Sequence, residues 1–132
     1  MQQNKRYYEG KYRNGEHIAR IPVPVTKQLI KRGQERYNIY CAVCHSESGL
    51  GNGPVVQRGY PPAPDVTLRT YVAMSDGYLY DVVSNGVRNM PGYAHSLEPN
   101  DRWAIVAYVR ALQLAQNATI DDVPVQLRKN IQ

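Results

Sequence analysis

Phenylalanine is missing from this 132-residue chain, tryptophan occurs once, cysteine twice, and histidine and methionine three times each. Two cysteines cannot build the disulfide framework that staples small secreted domains. No apolar stretch exceeds "WAIVAYV", Trp103 to Val109, so no segment reaches membrane-spanning length. The opening residues, "MQQNKRYYEGKYRNGEH", lack the apolar core of a signal peptide. No strand-like alternation and no internal repeat stand out, which argues against sheet and solenoid architectures. Acidic residues are outnumbered 11 to 16 by lysine and arginine, for a net charge of +5. The basic residues are scattered along the chain, so nucleic acid is not the expected partner and an acidic protein surface is.

What is present is tyrosine, 11 copies, and a helical pattern broken by long glycine- and proline-rich stretches. Residues 1–25 are polar but dotted with Tyr7, Tyr8, Tyr12, Ile18 and Ile21, and end in "IPVPV", whose prolines favour an extended path. This reads as an N-terminal extension laid along the domain surface. A helix is expected from Thr26, with Leu29, Gly33, Tyr37 and Tyr40 on one stripe. Ser46 to Thr70 reads as a long irregular loop, of the kind that wraps around something. Ser75 and Asp76 start a second helix, with Leu79, Val82 and Val83 as its buried stripe and Gly86 as its stop. A third helix is expected over about 101–114 with Asn100 as N-cap. The domain thus spans 26–115, followed by a polar tail over 116–132. The fold class is all-α, short helices and long loops around something that is not side chain.

The two cysteines lie together in "YNIYCAVCHSESG": Cys41, Cys44 and then His45. C-x-x-C-H is the attachment motif of c-type haem. Two thiols add to the porphyrin vinyl groups, and the imidazole reaches the iron from the same helical turn. A redox C-x-x-C pair would need a βαβ context that is missing. A structural zinc would need four ligands, and His17 and His95 complete the set poorly. One covalently attached haem c is therefore the expected cofactor. Candidate sixth ligands are Met1, Met74, Met90, His17 and His95. Met90, in "NGVRNMPGY", is favoured because Pro91 and the flanking glycines hold a loop able to present its sulfur, and thioether ligation raises the reduction potential. His95 is the runner-up.

Over residues 26–115 the sequence resembles class I cytochromes c, through Gly33-x-x-x-Tyr37 before C-x-x-C-H, the methionine–proline loop and the aromatic last helix. More narrowly, "GLGNGPVVQRGYPPAP", "NGVRNMPGY" and "DRWAIVAYVRALQLAQ" look like the monohaem cytochrome c subunit of alternative complex III and its soluble relatives. The resemblance implies a crossing of the first and last helices of the domain near Gly33, with Tyr37 close to Trp103 or Tyr108. It also implies electron delivery from a quinol-oxidising membrane complex to a haem-copper oxygen reductase. Membrane-bound members of that group begin with a signal sequence and a lipid-bearing cysteine, which are missing here. A trimmed mature domain and a soluble relative both match that departure.

In such cytochromes a proline carbonyl in the loop after the motif orients the proximal imidazole, a role that falls to Pro54. Arg58, Tyr60, Tyr93 and Trp103 are candidate donors to the haem propionates. Haem attachment outside the cytoplasmic membrane places the mature protein in the periplasm or on that membrane's outer face. With haem counted, a net charge of about +4 in the oxidised state suits docking on an acidic surface. The expected role is electron transfer without catalysis. The alternative from another class is a peroxidase-like haem enzyme or sensor with a displaceable sixth ligand.

Overall fold

Seven helices and no strand make up the regular structure of residues 2–118, the part that the computed structural model describes. They are α1 (Gln2–Glu9), α2 (Lys27–Tyr40), α3 (Ala42–His45), α4 (Pro54–Gln57), α5 (Arg69–Val72), α6 (Asp76–Asn85) and α7 (Pro99–Asn117). The expected tail lies, from residue 119 on, outside the described residues. None of the described helices is long and apolar enough to cross a membrane.

The frame is the crossing of α2 and α7. Thr26 caps α2 by accepting from the Leu29 amide, and Leu29, Gly33 and Tyr37 are its buried stripe. At the crossing Gly33 lies against α7 so closely that a Cβ would collide with the Ala104 carbonyl oxygen and stand 2.9 Å from Tyr108 Cβ. Glycine is needed there for want of space. One turn on, Tyr37 packs against Tyr108 with ring centroids 5.3 Å apart. An Arg32–Asp101 pair, two bonds of 2.8 and 3.0 Å, ties the same helices at the surface.

α7 begins earlier than the sequence suggested. Pro99 occupies its first turn, a position that spares an amide no helix needs, so Asn100 lies inside the helix and Glu98 stands before it. Residues Arg102 to Ala107 are all buried, as a helix apolar on most sides requires. In α6, Ser75 accepts from the Tyr78 amide as N-cap and Gly86 ends the helix, as expected. Its buried face differs: Gly77, Tyr80, Val83 and Ser84 point inward, while Leu79 and Val82 are half-buried. Tyr80 takes the centre because its ring stacks on Trp103, with centroids 4.0 Å apart.

Residues 5–25 pack on this frame; the segment opens with α1, and its "IPVPV" end is not helical. An isolated helix of this length is marginal in water, and two long-range bonds hold its C-terminal end. Trp103 Nε1 donates to the Tyr7 carbonyl at 2.7 Å, and the Tyr80 hydroxyl to the Tyr8 carbonyl at 3.0 Å. Beyond the turn at Gly10, the chain returns to bury Ile18 in one cluster with Tyr80, Trp103 and Val106. The Ile18 and Ala19 carbonyls then accept the amides of Gly77 and Asp76 at the start of α6.

Candidate functional site

The Cys41–His45 turn is built at the end of α2. Cys41 is both the last cap of α2 and the first of α3, and its carbonyl accepts the amides of Cys44 and His45 at 3.2 and 2.9 Å. The loop that follows folds back beneath it. Gly53 and Gly51 amides satisfy the Cys44 and His45 carbonyls at 2.9 and 2.8 Å, and the Tyr37 hydroxyl donates to the Ser46 carbonyl at 2.7 Å. Each of these backbone acceptors thus has a partner, which fixes the turn before any ligand is considered. No disulfide joins the two cysteines; Cys41 is buried and Cys44 half-buried. Burial, followed by the neighbouring Cys44, pushes the Cys41 thiol up to about 12. Its side chain lies in a cluster with Tyr37, Ala42, Val83, Leu97 and Ile105.

His45 is held by the Pro64 carbonyl, 3.1 Å from Nδ1, and not by Pro54. Pro54 is the exposed first residue of α4, where its fixed φ starts a helical turn. A carbonyl only accepts, so Nδ1 carries the proton and Nε2 keeps its lone pair for a metal. Burial lowers the His45 pKa, with the Pro64 bond opposing it, so the imidazole is neutral and fit to ligate. Pro64 is itself positioned from α7: Gln113 donates to the Val66 carbonyl at 2.9 Å and Asn117 to the Thr67 carbonyl at 2.8 Å. The loop from Ser46 to Thr70 contains four prolines, and it is this long-range anchoring that brings the carbonyl of Pro64 to the imidazole.

Met90, half-buried, sits in a tight loop springing from the end of α6. Val87 and Met90 exchange both amide–carbonyl bonds, at 3.1 and 2.9 Å. Gly86, at φ +80, lies too close to the Met90 carbonyl to accept a side chain. The loop's return is fastened to the last turn of α6 by Tyr93 N–H to Val83 O, 2.9 Å, and Ala94 N–H to Ser84 O, 3.0 Å. The Tyr93 ring meets Tyr40, centroids 5.7 Å apart, and its hydroxyl donates to the Tyr40 carbonyl at 3.3 Å. Tyr40 precedes Cys41, so the Met90 loop and the cysteine turn are joined through this pair and share one apolar cluster.

The other candidates separate. Trp103 is withdrawn as a propionate donor: it is fully buried, and its indole N–H is spent on the Tyr7 carbonyl. Tyr93 likewise spends its hydroxyl proton on Tyr40. Arg58 and Tyr60 are exposed just after α4, Tyr60 at 66 %. His17 Nε2 donates to the Asp81 carboxylate at 2.9 Å, midway along α6, and His95 is exposed. Among the described residues, no cluster of three or more His, Cys, Asp or Glu side chains is arranged to hold a metal, which removes the zinc reading for them. Two thiols and a neutral imidazole with Nε2 free, on one turn, fit a haem attached through thioethers. Cys41, Cys44 and His45 would hold it, and its chemistry there is reversible one-electron exchange at iron.

Residues 28–109 match the family model described as cytochrome C oxidase, cbb3-type, subunit III. Among solved structures the fold is similar to a chain of the Kuenenia stuttgartiensis reducing HAO-like protein complex, with a TM-score of 0.60 and 26 % identity. That match covers 76 % of this chain and 52 % of the other, so this chain spans about half the length of that relative. No curated protein matches the sequence.

Proposed function

Because the chain belongs to the cytochrome c family described as cbb3-type cytochrome c oxidase subunit III, and is thus a class I cytochrome c with covalent haem c serving electron transfer, we propose that it is a monohaem carrier of single electrons with His45 and Met90 as axial ligands. It makes and breaks no substrate bonds. The observation that carries this reading is the pairing of two rigid devices. One is a histidine oriented by the Pro64 carbonyl, and the other a methionine loop tied through Tyr93 to the residue before Cys41. A carrier needs both ligands to stay in place in both oxidation states, and this network restrains each from the backbone outward.

The donor is a membrane complex that oxidises quinol, of the alternative complex III type, and the acceptor a haem-copper oxygen reductase. The sequence likeness to the cytochrome subunit of the former supports this, as does the net charge of +5, which suits transient docking on acidic surfaces. The mature protein works in the periplasm or on the outer face of the cytoplasmic membrane, where covalent haem attachment takes place.

The test is an absorption spectrum of protein matured in a competent periplasm, oxidised and reduced, followed by acid–acetone extraction. Retained colour and a weak far-red band in the oxidised form are expected, the band reporting an iron–thioether bond. Covalent haem without that band, with carbon monoxide binding the reduced iron, would move the displaceable-ligand enzyme ahead. Reduction by quinol-oxidising membranes, slowing as salt is raised, would support the proposed donor; a rate indifferent to salt would count against acidic docking.

A further inference from the structure

Arg102 is an arginine where an apolar residue would be expected. It lies on the second turn of α7, is 8 % exposed, and forms no ion pair with a carboxylate among the described residues. Its Nε is buried without a partner. A guanidinium cannot relieve such burial by losing its proton, so something must compensate the charge. Two features do. The Tyr80 ring lies 5.0 Å beneath the guanidinium carbon. Nη1 donates at 2.7 Å to Ser84 Oγ, which donates in turn to the Tyr80 carbonyl at 2.8 Å.

Ser84 is in the last turn of α6, the negative end of that helix's dipole, and α6 carries no basic residue of its own there. Arg102 supplies from α7 the cation that α6 lacks. This same turn is the root of the Met90 loop on both sides. Gly86 leaves it, and the amides of Tyr93 and Ala94 return to the carbonyls of Val83 and Ser84. We propose that Arg102 is a positioning residue for the Met90 loop: through Ser84 it clamps the last turn of α6, from which the loop presents the methionine sulfur. The proposal rests on the reading of Met90 as sixth ligand. It assigns to a buried cation remote in sequence the task of keeping that ligand from swinging away.

Imidazole binding to the ferric haem protein measures the clamp, because an external ligand enters only when Met90 leaves. Its apparent affinity rises in proportion to the fraction of open loop. Arg102→Met keeps the apolar stem and removes the cation; it should bind imidazole at least about tenfold more tightly than wild type. Ser84→Ala should shift affinity the same way by a smaller factor, and Arg102→Lys should recover most of the wild-type value. Thr26→Ala, which removes the cap at the start of α2, away from the cysteine turn, should lower the melting temperature and leave imidazole affinity within about twofold. A far-red band in wild type, with Arg102→Met and Ser84→Ala both within twofold of it, overturns the clamp and leaves Met90 ligation standing. A wild type without the band overturns the ligand reading, and the clamp falls with it. Should Arg102→Met not fold, Ser84→Ala and Arg102→Lys decide by the same criterion.

Discussion

Replacing Gly33 by alanine puts one methyl group into the crossing on which the fold depends. The new Cβ would overlap the Ala104 carbonyl oxygen, stand 2.5 Å from the carbonyl carbon and 2.9 Å from Tyr108 Cβ. Carbon atoms rest at about 3.5–4.0 Å, so α2 and α7 must part by about 1 Å at this point. The obstacle is backbone, and no rotamer change can clear it. Overpacking of this kind costs about 1–3 kcal/mol, and the upper end applies here. Alanine recovers about 1 kcal/mol of helix propensity. The remainder, about 1–2 kcal/mol, corresponds to a fall in melting temperature of about 4–8 °C for a domain of this size. The assay is thermal unfolding of the haem-loaded protein followed by far-ultraviolet circular dichroism, with Gln34→Ala on the exposed face of the same helix as control. That control should stay within about 2 °C of wild type. A Gly33→Ala protein melting at or above wild type would refute the close crossing, since nothing but contact with α7 can offset the propensity gain.

Met90→Ala should abolish the far-red band of the oxidised protein and let carbon monoxide bind the reduced iron; a retained band would exclude Met90 as ligand. Tyr37→Phe deletes the hydroxyl that donates to the Ser46 carbonyl beneath the cysteine turn, and should cost about 1 kcal/mol in denaturant unfolding. Burial raises the Asp81 carboxyl, but bonds from His17 and Asn85 and the charges of Lys11 and His17 outweigh it and hold the pKa below the ordinary 3.8. A folded pKa below the unfolded one contributes stability that is present above pH 3.8 and lost as pH falls through the depressed value. Asp81→Asn should therefore reduce stability at neutral pH and flatten its dependence on pH in that acid range; an unchanged slope would show that the His17 contact carries no charge-dependent energy. Trp103→Phe removes the 2.7 Å bond to the Tyr7 carbonyl, and should make cleavage by protease near residues 5–20 faster while the far-red band persists. Cleavage at the wild-type rate would show that this bond does not hold the N-terminal segment.

The cysteine turn, the helix starts at Thr26 and Ser75, the stop at Gly86 and the crossing glycine were all legible in the sequence. Each is a local requirement: a cap needs a short polar side chain, a helix stop needs a left-handed or extended residue, and the attachment motif is complete within five positions. The methionine loop was legible for the same reason, since glycine and proline bound it in one short stretch. What lay beyond reach was every choice among equivalent groups made by distant chain. Pro64 rather than Pro54 meets His45 because Gln113 and Asn117, some fifty residues on, hold the segment beside it. Trp103 looked available as a donor until the N-terminal segment brought a carbonyl to its indole. The buried Arg102 reads in sequence as one more positive charge on a helix; only the packing of α7 against the last turn of α6 gives it a partner. Chemistry that sits within a few consecutive residues is written in the order of those residues. The partners of a hydrogen-bonding group are decided by which surfaces fold together, and that is a property of the tertiary structure alone.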